Sequence, residues 1–142
     1  MTDKNLPTKE LIIAVVEKDD AILMRKKPAG SAPYEETWYS FGCERIPTQD
    51  DPTTLKDYLK TELGIDVEVD NESIPFGAEI KKDHDGIEKN FIYINLHCKY
   101  LGGDPKIPKG AERVEWISKD KLMEYDIVPP SIKLFKTLGW LQ

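Results

Sequence analysis

The 142-residue sequence predicts an α+β protein, an α/β/α sandwich in which a mixed, largely antiparallel sheet is flanked by helices. Three observations lead there. The chain opens on β-branched apolar runs separated by an Asp-Asp turn. One strongly signalled helix interrupts the strands. Two helical segments then close the chain after the last strand.

Residues 1–9 are polar and are expected to form an arm ahead of a single domain spanning 1–142. Leu11–Lys18 (LIIAVVEK) reads as a buried strand, Asp19–Asp20 as a turn and Ala21–Lys27 as the second strand of a hairpin. Pro28–Thr37 holds two prolines and a glycine and is loop. Trp38–Ile46 is aromatic-rich and reads as a strand broken at Gly42. Pro52–Leu63 carries the clearest helix signals. Asp51 is placed as its N-cap, Pro52 sits where a missing N–H costs nothing, and Gly64 terminates it. Leu55, Tyr58, Leu59 and Leu63 form its apolar stripe.

Ile65–Val69 reads as a short strand. Ile74–Asp83 and Lys89–Gly103 read as two longer antiparallel strands around a His-Asp-Gly tip. In the second of these, Ile92, Ile94, Leu96 and Cys98 alternate with Phe91, Tyr93, Asn95, His97 and Lys99, so the even positions are assigned to the core. Ala111–Ser118 is a further strand and Lys119–Asp126 a short helix. Pro129–Leu141 is the closing helix, with Ile132, Phe135 and Leu138 on one face.

Hydrophobic residues make up 39% and charged residues 32%, a globular rather than a disordered or membrane composition. The net charge of −6 disfavours long nucleic acid, which needs a basic track, but a few local cations suffice for a small phosphorylated ligand. Cys43 and Cys98 form no metal-binding pair with each other or with His84 and His97, and reduced thiols are expected. The polar N-terminus has no signal-peptide core and no apolar run is long enough to span a membrane, so the expected location is the cytoplasm.

The order strand–Gly–loop–capped helix–Glu–x–Gly resembles the Nudix hydrolase superfamily, whose motif is G-x5-E-x7-R-E-U-x-E-E-x-G-U with U aliphatic. YLKTELGI matches its ending: Leu59 is the aliphatic, Glu62 the last glutamate, Gly64 the glycine and Ile65 the final aliphatic. WYSFGC looks like the family's W-x-F-P-G-G lead-in, and ERVEWISKDKL with PPSIKLFKTLGWL looks like its usual ending. The likeness covers nearly the whole chain and implies a Nudix-like fold.

The box itself is degenerate. The spacing from Gly42 to Gly64 is one residue longer than the family's. Counted back from Gly64, Cys43 falls on the first glycine and Gln49 on the loop glutamate. Asp57 and Tyr58 replace the Arg-Glu pair, and Thr61 replaces the first of the adjacent glutamates. The resemblance implies Mg²⁺ or Mn²⁺, if the protein is active, bridging a diphosphate and activating water. Glu62 and Glu112 are the acids it assigns to metal binding and catalysis. Glu44, Asp50 and Asp51 are further acids in the loop, the last two more naturally helix caps.

Arg25, with Lys26 and Lys27, resembles family positions where a cation faces substrate phosphates, against the alternative of a solvated strand end. The resemblance also implies substrate contact by Trp38, Gly42 and Tyr58. Trp38, Tyr34, Tyr39 and Phe76 are available to stack on a base or to pack the core. Three functions stay open: a divergent, weak pyrophosphohydrolase acting on a nucleoside diphosphate linked to another moiety, a non-catalytic nucleotide-binding module, or a protein-interaction module. The expected partner is a small phosphorylated nucleotide-like ligand. A homodimer is compatible with the reading. Long nucleic acid and a membrane are not expected.

Overall fold

The chain is described by a computed structural model that covers residues 6–30, 35–83 and 85–141, apart from the side chains of residues 71–73, 75 and 76. The strand β1 (Thr8–Lys18) organises it. One side of β1 pairs in parallel with β6 (Glu88–Gly102) over ten positions, from Thr8↔Asn90 to Glu17↔Lys99. Its other side is divided. The N-terminal half pairs antiparallel with β4 (Phe41–Glu44), from Leu11↔Glu44 to Ala14↔Phe41. The C-terminal end pairs with β2 (Ala21–Lys26) through Glu17↔Ile22 and Lys18↔Ala21.

From β2 the sheet continues to β3 (Trp38–Tyr39) and to β7 (Arg113–Ser118). At its far edge, β6 pairs antiparallel with β5 (Asp66–Lys82). The result is a mixed seven-stranded sheet, with helix α1 (Asp51–Leu63) packed on one face and α2 (Pro129–Thr137) on the other. The expected α+β sandwich is therefore present. No helix among the described residues is long and apolar enough to cross a membrane.

The two faces separate by alternation along each strand. Ile12, Ala14, Val16 and Leu23 meet Leu55, Leu59 and Leu63 of α1. Val15, Ile22 and Met24 meet Leu134 and Phe135 of α2. Both faces are covered, so the assignment of β6 requires correction. Its odd residues Phe91, Tyr93 and Asn95 are buried, Leu96 and Cys98 are buried with them, and Ile92 and Ile94 are only partly so. A strand covered on both faces does not reveal its core side by alternation.

Several boundaries also shift. The aromatic strand breaks at Ser40 rather than at Gly42, because the chain changes partner there, leaving β2 for β1. Gly42 stays inside β4 opposite Ile13, and a Cβ there would stand 2.9 Å from the Ile12 carbonyl oxygen. Close backbone approach, not a turn, explains this glycine. The two strands expected over 65–69 and 74–83 are one edge strand, β5, whose register slips between Asp66 and Val67, between Val69 and Ser73 and between Ile74 and Gly77. Pro75 falls at the last slip, where an edge strand tolerates it.

The helix cap is Asp50, one residue earlier than expected. Its carboxylate accepts from the Thr53 N–H at 3.0 Å, while Asp51 pairs with Arg45 at 3.0 Å. Gly64 ends α1 in the left-handed region at φ 76°, as expected. The short C-terminal helix is a 3-10 turn at Lys119–Glu124, and α2 stops at Thr137.

Leu59 has no exposed surface, so Leu59→Ala is expected to lower the unfolding free energy by about 2–5 kcal/mol. Gly64→Ala forces a side chain into the left-handed region and is expected to cost about 1–2 kcal/mol. Urea denaturation of both variants checks this. A smaller loss for Leu59→Ala than for Gly64→Ala would contradict the packing of α1.

Candidate functional site

A cavity of about 630 Å³ lies against the α2 face of the sheet. Its floor is Leu11 and Ile13 of β1 with Phe91, Tyr93 and Asn95 of β6. The first turns of α2 form a wall. That wall is held by backbone bonds: the Val128 N–H donates to the Trp38 carbonyl at 2.9 Å, and the Trp38 N–H to the Asp126 carbonyl at 2.8 Å. The buried Ser40 and Ser131 hydroxyls meet at 3.3 Å, tying the partner switch between β3 and β4 to the start of α2.

Arg25, Tyr39 and Gly42 line the cavity at the division of β1. By alternation Arg25 follows Leu23 onto the α1 face. It reaches the cavity because β2 and β4 share no ladder among the described residues. The guanidinium carbon sits 4.2 Å from the Tyr39 ring centre and 5.1 Å from that of Phe41. Nη1 donates to the Tyr58 hydroxyl at 3.3 Å. Burial raises the Tyr58 pKa, opposed by Arg25 and reinforced more weakly by Cys43 and Glu62.

The rim is charged. Lys9, Lys27, Lys81 and Lys133 line the cavity with Arg25, against the acids Glu79 and Asp83. Lys81 donates to the Tyr93 hydroxyl at 2.8 Å and pairs with Glu79 at 3.2 Å, and the Tyr93 hydroxyl bonds Glu79. Its ammonium lies 4.5 Å from the Phe91 ring centre. Lys9 and Lys89 converge on Asp83, at 2.9 and 2.8 Å. Burial lowers the pKa of Lys27, partly offset by Glu36 and Asp126. Burial likewise lowers that of Lys81, partly offset by Glu79.

Of the residues singled out in the sequence, Arg25 and Gly42 line the cavity, and Tyr58 touches Arg25. Trp38 does not. It is buried in the α2-side core, edge-on to Tyr125 with ring centres 5.2 Å apart, and the neighbouring ring Tyr39 faces the cavity instead. Tyr34, His84 and the Phe76 side chain lie outside the described residues. Lys26 turns away to Glu112, with 4.0 Å between the charged atoms, while Lys27 enters the cavity. Asp83 and Asp85 form a paired hairpin tip with Lys9 and Lys89.

Glu62 is exposed at the end of α1, and Glu112 is exposed beside Lys26. Among the described residues no three His, Cys, Asp or Glu side chains gather where a metal ion would be held. Burial pushes the Cys43 thiol up to about 11, so it offers no thiolate near neutrality either. The donors present do not fit a site for Mg²⁺, which requires several oxygen ligands in near-octahedral array. Tyr58 and Thr61 on α1 are neutral and add no carboxylate beside Glu62.

The sequence reading passed over Lys9, Lys81 and Tyr93. The available signal was Phe91 and Tyr93 on the strand face assigned to solvent, where two large aromatic rings are out of place.

No family model matches the sequence, and no curated protein matches it. Solved structures do. The E. coli ORF135 protein is 21% identical with a TM-score of 0.72, over 96% of this chain and 91% of that one. A MutT protein from Methanosarcina mazei Go1 is 16% identical with a TM-score of 0.74, over 95% of each chain. A Nudix hydrolase from Nitrosomonas europaea is 15% identical with a TM-score of 0.69, over 94% of this chain and 88% of that one. The chain has the fold of the MutT and Nudix hydrolases.

Proposed function

We propose that the cavity binds a small phosphorylated, ring-bearing ligand of the nucleotide class, and that any hydrolysis of it is slow. The observation carrying this reading is the charge of the cavity. A chain of net charge −6 gathers five cations against two acids around one concave site. An excess of cations around a concave site attracts an anionic ligand. The volume of about 630 Å³ suits a ligand of that size. Tyr39 and Phe91 add aromatic surface, and buried Asn95 brings a polar group that can recognise a base edge.

The chain's own residues account for binding and orientation. Arg25 and the lysines neutralise phosphate oxygens, and α2, anchored at Trp38, shields the floor from water. No step of hydrolysis follows from the donors present. A second reading, a divergent hydrolase of nucleoside diphosphates linked to another moiety, is supported by the fold shared with hydrolases and by Glu62 and Gly64 at the end of the box.

The two readings separate in one experiment. A panel of nucleoside triphosphates, sugar nucleotides and dinucleoside polyphosphates is tested with Mg²⁺ or Mn²⁺ for thermal stabilisation and for turnover. The expected result is a rise of several degrees with at least one class, from about 2.7 kcal/mol of linkage at a hundredfold excess over Kd, and little turnover. Rapid turnover that is lost in both Glu62→Gln and Glu112→Gln would establish the hydrolase. No stabilisation by any compound would overturn the binding reading.

Binding should also depend on pH in a specific direction. Lys27 and Lys81 have folded pKa values below the ordinary 10.5. Their charge is complete below those lowered values and is lost as pH rises through them. Affinity for ADP, followed by calorimetry, should therefore decline before pH 10.5 is reached, and a level profile to that point would exclude both lysines from the anion site.

A further inference from the structure

Arg25 is a half-buried cation with no carboxylate partner among the described residues. Two aromatic rings and a neutral phenol surround it instead: Tyr39 at 4.2 Å, Phe41 at 5.1 Å and the Tyr58 hydroxyl at 3.3 Å. Its Nε is buried and has no hydrogen-bond partner among those residues. A guanidinium taken from water without a counter-charge, and with a donor left over, is costly to maintain. Yet its side chain lines the cavity, so an entering anion would supply the missing charge.

The residue that holds it is equally telling. Tyr58 lies on α1 between buried Leu55 and Leu59, one turn before Glu62. A glutamate at this position would pair with Arg25 and cancel its charge. A phenol accepts the Nη1–H, fixes the fork and leaves the charge whole. It also keeps its own hydroxyl proton to donate, and burial raises its pKa further from the ordinary value. Glu62 is exposed, and water screens its repulsion.

We infer that Arg25 and Tyr58 form a metal-independent subsite for the diphosphate group of the ligand, in which the guanidinium does the charge neutralisation that divalent ions would otherwise do. This rests on the cavity being the site of a phosphorylated ligand. It departs from that reading in making recognition indifferent to metal. The geometry suits the anion: a guanidinium presents parallel N–H donors that match two phosphate oxygens. A neutral side chain at position 58 both withholds one carboxylate from a metal ion and leaves Arg25 uncancelled.

The test uses the full chain and two probes, inorganic pyrophosphate and ADP, titrated calorimetrically in EDTA and in Mg²⁺. Wild-type affinity in EDTA should equal or exceed that in Mg²⁺. Arg25→Met should lose about tenfold to a hundredfold, and Arg25→Lys should recover only part of it. Tyr58→Phe should lose a few-fold, and Tyr58→Glu more, by pairing with Arg25. Circular dichroism and thermal midpoints establish that each variant folds, and the Tyr58 pair carries the test should the Arg25 variants not fold. Binding that appears only with Mg²⁺, or equal affinities for Tyr58→Phe and Tyr58→Glu, would overturn the subsite while leaving the cavity as the binding site. No binding of either probe under either condition would overturn both.

Discussion

The structure depends on the divided pairing of β1. One strand cannot give the same backbone groups to two partners, so β4 takes the N-terminal half of its free side and β2 takes the C-terminal end. The chain must therefore switch partner between Tyr39 and Phe41, and it does so at Ser40. Everything chemically distinctive lies at that division. Gly42 permits the close approach to β1, Ser40 touches Ser131 of α2, and Arg25 passes between Tyr39 and Phe41. The cavity is the space that the switch leaves beneath α2.

Charge placement follows from the same geometry. Ile12, Ala14 and Val16 of β1 face α1 across an apolar leucine contact that holds no ionised group. The odd positions face α2, whose N-terminal turns stand over the strands at an angle set by the Trp38–Val128 and Trp38–Asp126 bonds. Lys9 and Lys81 lie over the Phe91 ring while their ammonium groups meet Glu79, Asp83 or Tyr93. Burial raises the cost of keeping a lysine charged, which explains the lowered pKa values of Lys27 and Lys81.

The segment from Gly42 to Ile65 is held by its capped helix and leucine stripe. Asp50 caps α1, Gly64 ends it in the left-handed region, and Leu55, Leu59 and Leu63 bury it without exposed surface. None of these roles needs a carboxylate on the exposed face of the helix. Tyr58 packs against this core and contacts Arg25.

Local physics wrote much of the fold into the sequence. Steric limits at Gly64, the Asp-Pro start of α1, the leucine stripe and the β-branched run of β1 act within a few residues and are read directly. The resemblance at YLKTELGI, with Glu62, identified the scaffold on the same local grounds. The choice of Asp50 over Asp51 as cap is finer, since it turns on Arg45 competing for Asp51. The site was less legible. That Tyr39 rather than Trp38 faces the cavity, that Lys27 enters it while Lys26 turns to Glu112, and that Phe91 and Tyr93 form its floor all follow from which strand lies beside which. Alternation says that neighbouring side chains point apart, but in a sheet covered on both faces it does not say which side holds the cavity. Only the pairing of β1 with three strands, and α2 folding back onto Trp38, decided that.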